Sequence, residues 1–343
     1  MVSRIGILTG GGDCPGLNAA IRAVVRRADQ ANVATFGFRA GWKGVLDLEV
    51  DQLTLATTRG LLHRGGTILG TSRVDPYREP NGVERIREAL DVHRLDGLVV
   101  IGGEGTLSAS TRLAEEGIPI VGIPKTIDND VAATELTIGF LTAVRTATEA
   151  VDRLHSTAES HNRVMVLEVM GRHAGWIATY AGMAGGADAI LVPEVPFDID
   201  AVGRHLKHRA GSGRDFSIVV VAEGAFPREG TMEIPESPKD EFGRPRLGGI
   251  GHSIAHEIEH RTGFPARVTI LGHVQRGGSP TPMDRVLATQ MGVKAAELAI
   301  DRHWGAMTAF QNHEIVPVPL ADATAELKTV PEQLYRVAET FFG

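Results

Sequence analysis

Short apolar runs, each ending at a glycine-rich or charged loop with an amphipathic stretch behind it, constrain the fold of this chain more than any other feature. Ile5-Gly6-Ile7-Leu8-Thr9 leads into Gly10-Gly11-Gly12 and then into apolar positions at helical spacing: Leu17, Ala20, Ile21, Val24, Val25 and Ala28. Gly97-Leu98-Val99-Val100-Ile101 leads into Gly102-Gly103-Glu104-Gly105-Thr106 and a helix through Leu113. Residues 118–123 form a further apolar run, followed by Pro124-Lys125-Thr126-Ile127-Asp128-Asn129-Asp130. A strand apolar at every position is buried on both faces, the habit of parallel sheets covered by helices. Successive strand-loop-helix units therefore predict an α/β fold with mostly parallel sheets. The same grammar returns later, with strands expected at 163–170, 189–192, 216–222 and 267–274 and a helix beginning near Ala174. Residues 224–247 shift to proline, glycine and charge and read as a mobile surface insertion.

With 343 residues and 43% hydrophobic side chains, the chain buries an ordinary core, and its length favours two lobes. A formal net charge of −7 argues against a broad nucleic-acid surface and points to small molecules or other subunits as partners. Cys14 is the single cysteine, so neither an intrachain disulfide nor a multi-thiolate metal site is available. The apolar run near the start, Ile5 to Leu8, is too short for a signal core, and no uncharged stretch reaches spanning length. A cytoplasmic, soluble protein with no membrane partner is expected.

In open α/β sheets ligands bind at the carboxyl ends of the strands, where these loops fall. Gly10 to Gly16 would turn backbone N–H groups and a helix dipole toward an anion. Pro15 fills the third glycine position of a dinucleotide fingerprint and no Walker lysine follows, which disfavours an oxidoreductase or a Walker-type nucleotidase. A tight structural turn is the plain alternative. Glu104 can reach a magnesium ion that bridges phosphates; alone it reads as a solvated acid. Asp128 and Asp130 can divide the work of base and orienter or metal ligand, or cap the next helix in an Asx turn. Arg172 offers a guanidinium fork to a phosphoryl group, against a surface role. His273 alone reads as a packed histidine, but with Arg276 in the same loop a sugar-phosphate contact is the better reading. Cys14 reads as packing rather than a nucleophile, and Trp42 as core or as a stacking face.

Six stretches in order resemble the 6-phosphofructokinase family: Gly11-Gly12-Asp13-Cys14-Pro15-Gly16-Leu17-Asn18-Ala19, residues 65–73, Gly102 to Thr106, Pro124 to Asp130, Met170-Gly171-Arg172, and residues 272–280. The likeness covers essentially the whole chain. It implies two Rossmann-like three-layer lobes with the active site in the cleft between them. Residues 1–139 plus about 275–320 would form the lobe for ATP and magnesium, and residues 140–274 plus about 321–343 the fructose 6-phosphate lobe. The implied glycolytic reaction is phosphoryl transfer from ATP to the 1-hydroxyl of fructose 6-phosphate. By this resemblance Asp128 is the base, with Thr126 and Asp130 beside it, and Arg172 stabilises the transferring group. Gly12, Arg73, Gly102, Gly103, Gly105, Thr106 and Lys125 would hold the donor, and Glu104 the magnesium ion. Thr126, Asp128, Met170, Gly171, Arg172, Glu223, His273 and Arg276 would bind the sugar phosphate. Arg163 and Arg267 would reach it from a neighbouring subunit, making the active unit a homo-oligomer, a tetramer or dimer with shared sites.

Three departures from the family pattern stand out. Glu104 replaces a common aspartate. Lys125 is typical of pyrophosphate-dependent relatives, whereas Gly105 is typical of ATP-dependent ones; a side chain at 105 excludes ATP sterically, so Gly105 decides for ATP. At the allosteric effector site of the regulated enzymes Arg22 and Arg26 match, while His155 and Asp188 replace an arginine and a glutamate. The competing readings are a pyrophosphate-dependent enzyme, an NAD or lipid kinase suggested by Gly102 to Thr106, and a non-catalytic sugar-phosphate sensor. The last is disfavoured because Asp128, Asp130 and Arg172 are all in place.

Overall fold

The computed structural model describes residues 1–233 and 248–342. They divide into two compact units, Met1–Thr142 with Arg276–Lys328, and Ala143–Gln275 with Thr329–Gly343. The first unit opens with β1 (Arg4–Gly10), α1 (Leu17–Gln30), β2 (Ala34–Phe38), α2 (Trp42–Leu46) and β3 (Val50–Leu53). It continues with α3 (Gly82–His93), β4 (Gly97–Gly102), α4 (Glu104–Glu115) and β5 (Ile120–Pro124). Helix α5 (Phe140–His161) leads to β6 (Val164–Val169), α6 (Trp176–Gly185), β7 (Ala189–Leu191) and α7 (Ile199–Gly211). Then come β8 (Ser217–Ala222), α8 (Ile250–Thr262) and β9 (Ala266–Ile270). The chain returns to the first unit with α9 (Pro282–Ile300), β10 (Ala306–Gln311) and β11 (Glu314–Pro319), and ends in the second with α10 (Glu332–Glu339).

Seven strands make the first sheet, in the order β11-β10-β5-β4-β1-β2-β3. Its five inner strands run parallel, and only β3 and β11 at the edges are antiparallel. On β4, Leu98 and Val100 enter one core with α2, α3 and α4. Val99 and Ile101 point to the opposite face by strand alternation and are equally buried. The second sheet, β7-β8-β6-β9, is wholly parallel. Its core is packed by α7 and α8 through residues such as Ile199, Leu206, Ile254 and Ile258. This is the α/β architecture with mostly parallel sheets that the apolar runs predict.

Several boundaries differ from the expectation. The expected strand over 267–274 stops at Ile270, and Gly272–Arg276 is a 3-10 turn in which Gln275 bonds back to the Gly272 carbonyl at 3.1 Å. Glu104 and Gly105 lie in the first turn of α4, because Gly103 in extended conformation caps the helix there. Trp42 is 2% exposed in the first core, which removes the stacking role. Residues 224–233 are fastened to the second unit: Phe197 N–H donates to the Phe226 carbonyl and Arg261 to the Thr231 carbonyl. Residues 234–247 of the expected insertion lie outside the described residues. Among the described residues no helix is long and apolar enough to cross a membrane.

Candidate active site

Three loops of the first unit leave adjacent parallel strands at their carboxyl ends: residues 11–16 after β1, Gly103 after β4, and residues 125–139 after β5. Their closeness follows from the register, which sets Gly10 beside Gly102 and Gly102 beside Pro124. The Lys125 N–H extends this register by donating to the Gly102 carbonyl at 2.8 Å.

The segment carrying Arg73 is hung from the first loop. Asn18 donates to the carbonyls of Arg64 and Gly65 and accepts from the Ile68 N–H, while Thr9 donates to the Gly70 carbonyl at 2.7 Å. Gly11 N–H donates to the Ser72 carbonyl and Thr71 donates back to the Gly11 carbonyl. Arg73, exposed, therefore stands next to the glycine loop. Arg276 lies across the same loop, donating to the Asp13 carbonyl at 3.3 Å. A Cβ at Gly12 would stand 2.1 Å from its Nη1, so only glycine admits the guanidinium there.

Lys125 is 2% exposed, and its Nζ donates to the Gly12 carbonyl at 2.6 Å. A Cβ on Gly11 would meet the same amine at 3.5 Å and one on Gly103 at 3.9 Å, so the charge sits beneath both glycine loops. Burial lowers its pKa to about 8, against the opposing pull of Cys14, Asp13 and Asp130. Cys14 is buried, its thiol donates to the Ile138 carbonyl, and burial pushes its pKa up to about 12. It is a packing contact between the two loops.

The acid loop is built on its own backbone. Asp128 N–H donates to Thr126 Oγ1 at 3.1 Å, and Thr137 Oγ1 donates to the Thr126 carbonyl at 2.7 Å. Asn129, left-handed at φ 52°, accepts from Thr137 N–H and donates to the Glu135 carbonyl. Asp130 Oδ1 is buried without a hydrogen-bond partner among the described residues. The far end is clasped by Asp284, a buried carboxylate that accepts from the N–H groups of Gly139 and Thr142 at 2.9 and 2.7 Å. Glu104 and Gly105 are exposed on the first turn of α4, and a Cβ at Gly105 would have nothing within 4 Å.

In the second unit Met170, Gly171 and Arg172 follow β6, Glu223 follows β8, and His273 lies in the turn after β9, all at the carboxyl ends of neighbouring strands. Glu223 N–H donates to the Val169 carbonyl and Met170 N–H to Gln275 Oε1, which fixes these loops to one another. Arg163 and Arg267 lie elsewhere. Arg163 precedes β6 and Arg267 pairs with Met165, so both stand at the amino ends of the strands. The six residues of β6 separate Arg163 from Met170, roughly 23 Å at the usual rise. The sheet does not bring these arginines to the other sugar-phosphate candidates. A cavity of about 440 Å³ in this unit is lined by His155, Asp188, Arg209 and Arg214 among others. Asp188 there pairs with Arg209 at 2.6 Å and accepts from the Ile218 N–H.

Sequence reasoning missed Asp284 and Lys328. Lys328 donates from Nζ to the Thr134 and Glu135 carbonyls at 2.7 and 3.1 Å. Neither residue lies in a motif, and a lone Lys in Glu326-Leu327-Lys328-Thr329 carries no signal of its own.

Two parallel-stranded α/β units with phosphate-type glycine loops and an acid loop define a phosphoryl-transfer type of protein. The phosphofructokinase family profile matches residues 4–299, and the chain belongs to the phosphofructokinase family. It is 54% identical over 341 residues to a pyrophosphate--fructose 6-phosphate 1-phosphotransferase of Amycolatopsis methanolica, covering 99% of this chain and 100% of that one. It is equally 54% identical, over 338 residues, to ATP-dependent 6-phosphofructokinase 3 of Streptomyces coelicolor, covering 98% and 99%. The crystal structure of Pichia pastoris phosphofructokinase in the T-state superposes with a TM-score of 0.84 at 32% identity, over 99% of this chain and 36% of that one. Overall identity does not discriminate between the two donors.

Proposed function

We propose that this protein transfers the terminal phosphoryl group of ATP to the 1-hydroxyl of fructose 6-phosphate, giving fructose 1,6-bisphosphate. The first unit binds the donor and the second the sugar phosphate. The observation that carries the donor assignment is the space at Gly105: nothing within 4 Å would meet a Cβ there. Packing within the protein does not demand glycine at that position, so the opening is available to a nucleotide. Lys125 is the observation that favours pyrophosphate, yet its amine is buried and engaged on the Gly12 carbonyl. It raises the positive potential under the glycine loops without occupying the opening, which suits either donor.

Gly12 and Gly103 present backbone N–H groups to the donor phosphates, backed by the Lys125 ammonium and the amino end of α4. Arg73 adds guanidinium charge at the loop margin; Arg276, expected at the sugar phosphate, is seated on the Asp13 carbonyl against Gly12 and so faces both the donor loop and that substrate in this reading. The metal-binding donor is the exposed carboxylate of Glu104, and one carboxylate beside phosphate oxygens is a set that fits magnesium, which keeps several waters. When bound, magnesium neutralises charge on the phosphates. Asp128, whose backbone is fixed by Thr126, accepts the proton of the sugar 1-hydroxyl as that oxygen bonds to phosphorus. The bridging P–O bond to the leaving ADP breaks in the same displacement, and Arg172 stabilises the charge on the transferring group. Arg163 and Arg267 belong to the site of a neighbouring copy, in keeping with their place at the opposite end of the sheet from Met170 and Glu223.

A coupled assay for fructose 1,6-bisphosphate with each donor tests this. Turnover is expected with ATP and magnesium. Turnover with pyrophosphate but none with ATP would overturn the donor, and no turnover with either would overturn the reaction. Gly105→Asp should fold normally, since the added side chain enters open space and an acid in a first helical turn is favourable. Its ATP turnover should drop at least ~100-fold, the size of loss seen when a transition-state contact is blocked.

A further inference from the structure

Resting on the phosphoryl-transfer reading, we infer that Lys328 is a positioning residue for the acid loop, holding Asp128 and Asp130 through the backbone behind them and setting a positive charge beside Asp130. Four observations converge on it. The Nζ donates to two successive carbonyls of the loop, Thr134 and Glu135. The Lys328 backbone N–H donates to the Asp130 carbonyl at 3.1 Å. Leu327 forms an isolated antiparallel bridge with Val131, and Ala132 N–H donates to the Ala323 carbonyl, so the stretch from the end of the 3-10 turn at 320–324 to Lys328 lies against the loop. The Glu135 carbonyl also receives Asn129 Nδ2 at 3.2 Å, which places Lys328 and the left-handed Asn129 on one shared acceptor.

The carboxylates flank Asn129 in sequence. Fixing Asn129 from one side through Thr137, and Asp130 from the other through Lys328, leaves little freedom for Asp128 between Thr126 and Asn129. The ammonium is the cationic group facing this stretch from the 323–328 segment. Asp130 and Glu135 both favour its charged form, although burial lowers its pKa to about 7. Asp130 Oδ1, buried with no hydrogen-bond partner among the described residues, gains compensation from that charge. A base held within fractions of an ångström contributes to turnover rather than to substrate affinity. Lys328 acts on the base through the loop carbonyls and backbone it holds.

The test uses the full-length protein and three measurements. Lys328→Met and Lys328→Cys should lower kcat about 10- to 100-fold while leaving KM for sugar phosphate and donor within about threefold, the pattern of lost transition-state positioning. Alkylating the Lys328→Cys protein with 2-bromoethylamine rebuilds a lysine-like amine, and Cys14, buried and with its pKa near 12, is shielded from the reagent. Aminoethylation should restore most of the lost kcat, whereas iodoacetamide, which adds a neutral group, should not. Hydrogen exchange at the amides of Asp128 and Thr137 should accelerate about tenfold in Lys328→Met without a matching change elsewhere in the first unit. Unchanged kcat in both variants, equal recovery with either reagent, or unchanged exchange would each overturn the inference. If the wild type turns over with neither donor, the functional reading fails and the exchange measurement alone decides the role of Lys328.

Discussion

A lysine amine buried beneath two glycine loops is costly to keep charged, and that cost has a measurable sign. The folded pKa of Lys125, about 8, lies below its ordinary value of 10.5, so between these limits the unfolded chain binds more protons and stability rises with pH. Cys14 acts the opposite way, but only above its ordinary pKa of 9.0. From pH 8 to 9, therefore, the wild type should gain about 1 kcal/mol more stability than Lys125→Met, read as the shift of the urea midpoint at fixed slope. Equal gains would show that Lys125 keeps an ordinary pKa in the folded protein. For Asp128 the prediction concerns chemistry. Asp128→Asn keeps shape and hydrogen-bonding reach but cannot take a proton. Turnover should fall roughly 10²- to 10⁴-fold while calorimetric binding of fructose 6-phosphate stays within about threefold. Unchanged turnover would remove Asp128 from the role of base.

At the scale of elements, the acid loop is as well placed as its two ends. Its near end continues the β5 register into the Gly102 carbonyl, and its far end is held by Asp284 at the start of α9. Asp284→Ala leaves the Gly139 and Thr142 N–H groups buried without acceptors. A loss of roughly 3 kcal/mol in unfolding free energy is expected by chemical denaturation, since each buried unpaired donor costs about 1–3 kcal/mol. The strands β1, β4, β5, β6 and β8 were legible because burial on both faces makes them apolar almost throughout, as in Gly97-Leu98-Val99-Val100-Ile101. The edge strands β3 and β11 of the first sheet, and β2 and β10 beside them, were not. β3 reads Val-Asp-Gln-Leu, with one sheet partner and with Asp51 and Gln52 both exposed, and the β10–β11 hairpin turns on Asn312 and His313, both left-handed, without the Asn-Gly pair that announces such a turn. The glycine and acid loops were legible because phosphate and proton transfer each demand particular residue types at close spacing. Asp284 and Lys328 serve those loops from far along the chain through backbone groups, which any sequence supplies, so nothing local marks them.

The whole molecule raises the question of where one active site ends. In the second unit, Arg163 and Arg267 stand at the amino ends of β6 and β9, while Met170, Glu223 and His273 follow the carboxyl ends of the sheet strands. A rigid parallel sheet cannot bend to join its two ends, so if both sets bind one sugar phosphate, they come from different copies of the chain. Closed symmetric oligomers make such sharing reciprocal. Arg163→Ala and Asp128→Asn should each be nearly inactive as pure proteins. Co-expressed in equal amounts, they should recover activity, because a site with an intact Asp128 belongs to an Arg163→Ala subunit and can borrow Arg163 from an Asp128→Asn partner. Half of the sites have the intact base and half of those face an intact arginine, which gives about a quarter of the wild-type turnover for random assembly. Sites confined to single chains give no recovery. Mixing the purified variants without subunit exchange should also give none, which separates complementation from an additive residue of two weak enzymes.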